Sequence, residues 1–338
     1  MIIKWISASA SAGSRRSRSL WAAALLVCLC CLAACSPVAE MSGGAPAPKK
    51  TVSLIVKMKQ GDYWRTVRMG AEAAAKEFNV NLNVSGPEDE KDIQGQIGLV
   101  KEAIAGGTDA LVLAANDYTG LKDITERAVS QRIPVITIDS EVDSPKVLGF
   151  IGINNYEAGR KAGSKLVELV SVTSRIALMN FGEGAKNADE REQGLLDELA
   201  RYPQVQVVSK EYCYSDLKLC REQTRNLLND KHVDGIVALH AIASIGVADE
   251  VESMGLSGKV QVVTFDNTPE DIEFLQEGVI QATIIQNPFS MGYLGVKYAV
   301  EAIQGKKIPK FVDTGTKVID QENMFWSDNQ KLLFPFVK

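Results

Sequence analysis

The chain has 338 residues, of which 46% are hydrophobic and 23% charged, with a net charge of −5. That length permits two domains of ordinary size, each able to bury its own core. The mild acidic balance and the absence of a basic stripe argue against a nucleic-acid partner, and no long like-charge tail is present.

Arg15, Arg16 and Arg18 precede an apolar run from Leu20 to Ala34, shorter than the roughly 20 residues a spanning helix needs. Residues 1–34 therefore have the layout of a signal peptide. The run closes in Leu32-Ala33-Ala34-Cys35, which resembles the lipobox of bacterial lipoproteins. In that family the signal is cut before the Cys, which carries a lipid and anchors the chain to the membrane. An ordinary signal peptide, cut after small residues, is the alternative. Residues 36–50, rich in Ser, Gly, Ala and Pro, read as a flexible tether. Cys28, Cys30 and Cys31 would leave with the signal and Cys35 would be lipidated, so Cys213 and Cys220 remain. An even pair outside the cytoplasm is a disulfide candidate, which geometry must decide. No His or Cys cluster accompanies it, so neither a metal nor a cofactor is expected.

From Thr51 onward strands and helices alternate with short connections. Predicted strands are Val52–Val56, Val80–Val84, Ala110–Ala114, Pro134–Ile138 and Leu148–Ile153, with helices at Trp64–Phe78, Ile93–Ala105 and Leu121–Gln131. The alternation then restarts. A helix over Glu157–Val170 leads to strand Arg175–Met179, helix Arg191–Arg201, strand Val205–Glu211 and helix Leu217–Asn229. Strand Gly235–Leu239, a helix to Met254, strand Val260–Phe265, a turn signal at Asn267-Thr268-Pro269, strand Ala282–Ile285 and helix Met291–Gln304 follow, then short extended segments. Continuous apolar runs of this kind suit strands buried on both faces of a parallel sheet. Two successive βα series predict an α/β fold of two doubly wound parallel-sheet lobes.

Open α/β sheets bind ligands at the carboxyl ends of their strands. At those ends stand Gly61, Tyr63 and Trp64, Asn116 with Asp117, and Asp139 with Ser140. The second half presents Asn187, Arg191, Tyr214, His240, Asp266 and Gln286. Carboxylates and amides bond hydroxyls, and aromatic faces cover the C–H surfaces of a sugar, so the set suits a small neutral polyol. Any one alone has a plainer reading: a strand-end Asp as turn former or helix cap, as favoured for Asp117, and Arg191 as a surface residue paired with Asp189 or Glu190. Their coincidence at equivalent ends of two sheets favours the ligand reading.

Several segments carry a family resemblance: Asp62-Tyr63-Trp64 with Gly70-Ala71, Pro134 to Asp139, Arg191 with Gly194, Val263 to Pro269, Ala282 to Gln286, and Asp313-Thr314-Gly315. Thr51 to Met324 resembles the type I periplasmic sugar-binding proteins that feed ABC importers. The resemblance implies two lobes joined by a three-segment hinge near Gly152–Asn155, Gln286–Pro288 and Thr314–Thr316. The N-terminal lobe would be 51–153 plus 287–314, and the C-terminal lobe 154–286 plus 315–338. It also implies a monomer that closes on a monosaccharide or similar polyol and docks to an ABC transporter permease. Tyr63 and Trp64 become aromatic walls and Asp139 a hydroxyl acceptor of the first lobe. Asn187, Arg191, Tyr214, His240 and Asp266 become the second-lobe set, with Gln286 at the hinge. Gly61, Ser140 and His240 depart from the ribose-binding pattern, where Asn, Arg and Asn stand, and Asp189 replaces an Arg; a different sugar, a cyclitol or a quorum-signal sugar would fit.

Three other functions compete. A repressor effector domain shares the fold but needs an N-terminal helix-turn-helix, where this chain has a signal peptide. An enzyme lacks support: no Gly-x-Gly-x-x-Gly after a strand, no P-loop and no recognisable Ser/His/Asp arrangement, with Gly182-Glu183-Gly184 reading as a tight turn. A sensor that reports its liganded state to a membrane histidine kinase would use the same closed form as a transporter.

Overall fold

A computed structural model describes residues 48–334; the signal segment, Cys35 and the tether to residue 47 lie outside the described residues, as do residues 335–338. The chain runs β1 (Thr51–Ile55), α1 (Asp62–Glu77), β2 (Asn81–Ser85), α2 (Ile93–Ala105), β3 (Ala110–Leu113), α3 (Lys122–Ser130), β4 (Val135–Ile138) and β5 (Gly149–Gly152). It continues with α4 (Asn155–Leu169), β6 (Ser174–Asn180), α5 (Lys186–Leu199), β7 (Val205–Tyr212), α6 (Leu217–Asp230), β8 (Gly235–Ala238) and α7 (Ala241–Ser253). Then come β9 (Gln261–Phe265), α8 (Pro269–Glu277), β10 (Ala282–Ile285), α9 (Pro288–Ile303), β11 (Phe311–Asp313), β12 (Lys317–Asp320) and α10 (Ser327–Leu333).

Two six-stranded sheets result, in the orders β11-β5-β4-β3-β1-β2 and β12-β10-β9-β8-β6-β7. All pairings are parallel except β10 with β12. Every residue of β3, β4, β8 and β10 is buried, as a parallel sheet covered on both faces requires. Residues of α2 and α3 close one face of the first sheet, and those of α6, α7 and α8 close one face of the second. The other faces, under α1 with α9 and α4 with α5, join in one continuous core.

Both helix pairs cross at glycines. A Cβ on Gly70 would lie 2.0 Å from the Phe289 carbonyl oxygen, and one on Gly292 1.9 Å from that of Val67. In the second pair, Gly159 and Gly194 would meet the carbonyls of Arg191 and Tyr156, each at 2.0 Å. Only glycine permits such approach, which explains the Gly70 and Gly194 of the matched segments. The chain passes three times between the sheets: after β5 to α4, after β10 to α9, and from β11 to β12.

Three local expectations are corrected. The turn at Thr268-Pro269 begins a helix, α8, because Thr268 and Asp271 form a reciprocal capping box and proline suits the first helical turn. Helix α5 starts at Lys186, not Arg191, so Asn187 and Arg191 are one turn apart and share a helix face. The tail, expected to run through short extended segments, also contains the helix α10.

Candidate ligand-binding site

The carboxyl ends of β4 and β9 carry the same device. Asp139 and Asp266 follow those strands directly with φ of 61° and 74°. Each backbone N–H donates across to the neighbouring strand, to the carbonyls of Ile151 and Ile284, both at 3.0 Å. A left-handed L-residue costs roughly 1–2 kcal/mol, with Asp among the residues that tolerate it best. Such strain gathers at ligand sites. Both carboxylates are turned into a cavity between the sheets, lined by Lys57, Met58, Gly61, Asp62, Tyr63, Trp64, Glu90, Phe181, Asn187, Arg191, His240, Ile242 and Gln286, among others. Its volume is about 50 Å³.

Asp139 accepts from the Tyr63 hydroxyl at 2.7 Å and from Asn187 Nδ2, on the opposite sheet's helix α5, at 3.0 Å. Lys57, just past β1, donates to Asn187 Oδ1 at 2.9 Å and stands 3.7 Å from Asp139. Lysine, carboxylate and amide thus bridge the two sheets. Lys57 is 2% exposed, and burial lowers its pKa against the pull of Asp139 and Glu90. The Asp266 carboxylate accepts from Gln286 Nε2 at 2.8 Å and from the Ala241 N–H at 3.1 Å. Burial pushes its carboxyl above the usual range, opposed by Arg191.

Arg191 lies with its guanidinium carbon 4.7 Å from the Phe265 ring centre and 5.7 Å from that of Phe181. Its Nε donates to Asn155 and its Nη1 to the Leu239 carbonyl, at 2.9 and 2.8 Å. Two buried polar atoms of the wall have no partner among the described residues: Arg191 Nη2, a donor, and Gln286 Oε1, an acceptor. Buried polar groups are nearly always satisfied, so this pair marks where hydroxyls fit.

His240 caps α7, its Nδ1 accepting from the Ala243 N–H at 3.3 Å. That leaves the proton on Nε2, which faces Ser215 Oγ at 3.0 Å, while Ser215 donates to Glu90 of the opposite lobe at 2.9 Å. Burial, with Arg191 and Lys57 nearby, holds the His240 pKa well below its ordinary value. Glu90 is pushed up by removal from water. Serine, histidine and carboxylate therefore meet here, an arrangement the sequence did not reveal. The proton on Nε2 points the histidine at the serine as a donor, so it cannot serve as that hydroxyl's base.

Of the expected residues, Gly61, Tyr63, Trp64, Asp139, Asn187, Arg191, His240, Asp266 and Gln286 come together on the wall. Asn116, Ser140 and Tyr214 do not. The Asn116 amide nitrogen donates to the carbonyls of Lys57 and Glu90, at 3.1 and 2.9 Å, and braces the wall from behind. Ser140 is buried beyond the left-handed turn at Asp139. Tyr214, itself left-handed, packs outside against Tyr212 and under the Lys91 ammonium. Cys213 and Cys220 are joined in a disulfide that closes the loop carrying Tyr214 and Ser215. Lys57, Glu90 and Phe181 were missed, since a lysine or glutamate in a loop ordinarily faces water. The signal available for Lys57 was its place directly after a buried strand.

Among the described residues no group of three acidic, His or Cys side chains is placed to hold a metal, and no helix is long and apolar enough to cross a membrane. The model of the periplasmic binding protein domain matches residues 52–307. The chain belongs to that family, among its type I sugar-binding members. The D-ribose/D-allose-binding protein of Pseudomonas aeruginosa is 27% identical over 303 residues, which cover 86% of this chain and 92% of that one. The D-allose-binding periplasmic protein of Escherichia coli is 24% identical and covers 79% and 89%. A solute-binding protein of Agrobacterium radiobacter, solved with D-arabinose, superposes with a TM-score of 0.82 at 28% identity, covering 85% of this chain and 99% of its own. One from Agrobacterium vitis, solved with D-fucose, gives 0.81 at 27%, covering 84% and 99%. In this periplasmic binding protein, as the residues above show, the strand-end wall is built from both sheets.

Proposed function

We propose that this chain is an extracytoplasmic solute-binding lipoprotein that captures a monosaccharide or similar polyol between two lobes and delivers it to an ABC importer. The observation that carries the reading is the pair of left-handed strand-end carboxylates, Asp139 and Asp266, facing one cavity with an unpartnered donor and acceptor beside them. Asp, Arg, Asn and Gln offer hydroxyls both donors and acceptors, and Tyr63, Trp64 and Phe181 offer apolar faces. A cavity of about 50 Å³ is well below the roughly 300–1,000 Å³ of small-molecule sites. A sugar is therefore admitted when the lobes part, and the bridge from Lys57 through Asn187 to Asp139 yields to ligand contacts. Three crossings, at 152–155, 286–288 and 314–316, serve as the hinge, with the N-terminal lobe formed by 51–153 and 287–314. The ligand stabilises the closed form through contacts it makes only there.

The chain is a binder and not an enzyme. The direction of the His240–Ser215 hydrogen bond supports this, since the histidine donates to the serine and is not placed to take its proton. Cys35 carries the lipid anchor, and Cys35→Ala releases the protein from the membrane fraction.

Thermal-shift and calorimetric screening against D-ribose, D-allose, D-arabinose, D-fucose and myo-inositol tests the reading. At least one of these raises the melting temperature. Stabilisation by none of them counts decisively against it.

A further inference from the structure

Beside the inner cavity lies a far larger groove, of about 670 Å³. The two are continuous: Asp62, Tyr63, Asp266, Thr268 and Gln286 line both. One wall of the groove is the first turn of α1 and the start of α9; the other is α8 and the last turn of α10. Its lining mixes apolar surface from Pro269, Ile272 and Pro288 with the polar heads of Arg65, Glu273 and Gln276. That mixture is what a second saccharide unit requires, with C–H faces against apolar surface and hydroxyls at a polar rim. The volume falls inside the roughly 300–1,000 Å³ of small-molecule sites, which the inner cavity does not reach. At the junction stands Gln286, 5% exposed, whose Oε1 has no partner among the described residues.

We propose that the groove is a second saccharide subsite, so that the sugar unit held in the inner cavity can be the terminal unit of a disaccharide or other glycoside. This rests on the sugar-binding reading above and deepens it: a substituent leaving the terminal unit on the side of Asp266 and Gln286 runs directly into the groove.

The test is titration calorimetry of the full-length chain with D-glucose, D-galactose and D-ribose, with phenyl glycosides of each, and with lactose, cellobiose and maltose. At least one glycoside or disaccharide binds about tenfold or more tighter than its parent monosaccharide. Glu273→Trp, at an exposed helix position that touches only the groove, loses about tenfold for that glycoside while the parent stays within about twofold. Monosaccharides that bind while every glycoside binds more weakly overturn the proposal and leave the sugar reading standing. Binding of no saccharide, small or large, overturns both. A chain ended at Phe334 keeps its glycoside affinity within about twofold; a rise of about tenfold on truncation assigns the groove to the chain's own end and overturns the subsite.

Discussion

Replacing Asp266 separates the part this residue plays in the fold from the part proposed for it in binding. Its carboxylate is 5% exposed and accepts from Gln286 Nε2 and from the first-turn N–H of α7 at Ala241. Alanine leaves both donors buried and unmatched, at about 1–3 kcal/mol each, so Asp266→Ala loses about 2–6 kcal/mol of stability. That is a large share of the roughly 5–15 kcal/mol that holds a domain folded. Asparagine is the cleaner probe. Its oxygen still accepts from Ala241 and only the Gln286 Nε2 donor is left unmatched, so Asp266→Asn costs half as much, about 1–3 kcal/mol. Ligand affinity responds in the opposite proportion. A hydroxyl bonded to a charged carboxylate is worth about 1.5–3 kcal/mol, so Asp266→Asn weakens sugar binding by about 10- to 100-fold. Urea unfolding measures the first effect and titration calorimetry with the tightest-binding sugar the second. An Asn variant that binds within about twofold of wild type refutes the role of Asp266 as a ligand contact. An Ala variant of unchanged stability refutes the account of its buried partners.

His240 gives the fold a pH dependence. Its pKa is depressed by burial, so its contribution is fully present above the unfolded value near 6.5 and is lost as pH falls below it, by about 1.4 kcal/mol per unit. Wild type should therefore lose about 1–1.5 kcal/mol more than His240→Asn in urea unfolding between pH 7.5 and 5.5; a constant difference between the two rejects this. The Cys213–Cys220 disulfide spans 7 positions, and for so short a loop its removal in a Cys213→Ser, Cys220→Ser double variant costs about 2–3 kcal/mol. The same variant loosens Ser215 from Glu90, so ligand affinity drops as well; full retention of both stability and affinity shows that the loop holds without its strap. Gly159→Ala drives a methyl group into the Arg191 carbonyl, costing about 1–3 kcal/mol by overpacking. Because Arg191 lines the cavity, sugar affinity falls with it, whereas a variant with wild-type affinity would uncouple the helix crossing from the site.

Much of the architecture was legible because its signals are local. Buried apolar runs such as Ala110–Leu113 and Ala282–Ile285 read as parallel strands, and Asp139 and Asp266 stood out as carboxylates where such runs end. The start of α8 was equally local, but Thr268-Pro269 reads as a turn unless Asp271 is weighed with it as a capping box. Asn187 and Arg191 were picked out as polar residues beyond β6, yet only the early start of α5 puts them on one face.

The sequence by itself determined the alternation of strands and helices and the carboxylates, Asp139 and Asp266, that stand at the ends of two buried strands. These follow from side-chain periodicity and backbone sterics over a few residues. Tertiary structure alone decided which polar groups share the cavity. Lys57 meets Asn187 across 130 positions of chain and Ser215 meets Glu90 across 125, and nothing within a local window distinguishes a lysine bound for a buried bridge from one bound for water. Asn116 and Tyr214 illustrate the converse: both stand past strand ends, but one is drawn back to hold backbone carbonyls and the other is turned outward by a left-handed, disulfide-closed loop. Burial sets the chemistry of such groups, and burial is a property of the assembled lobes.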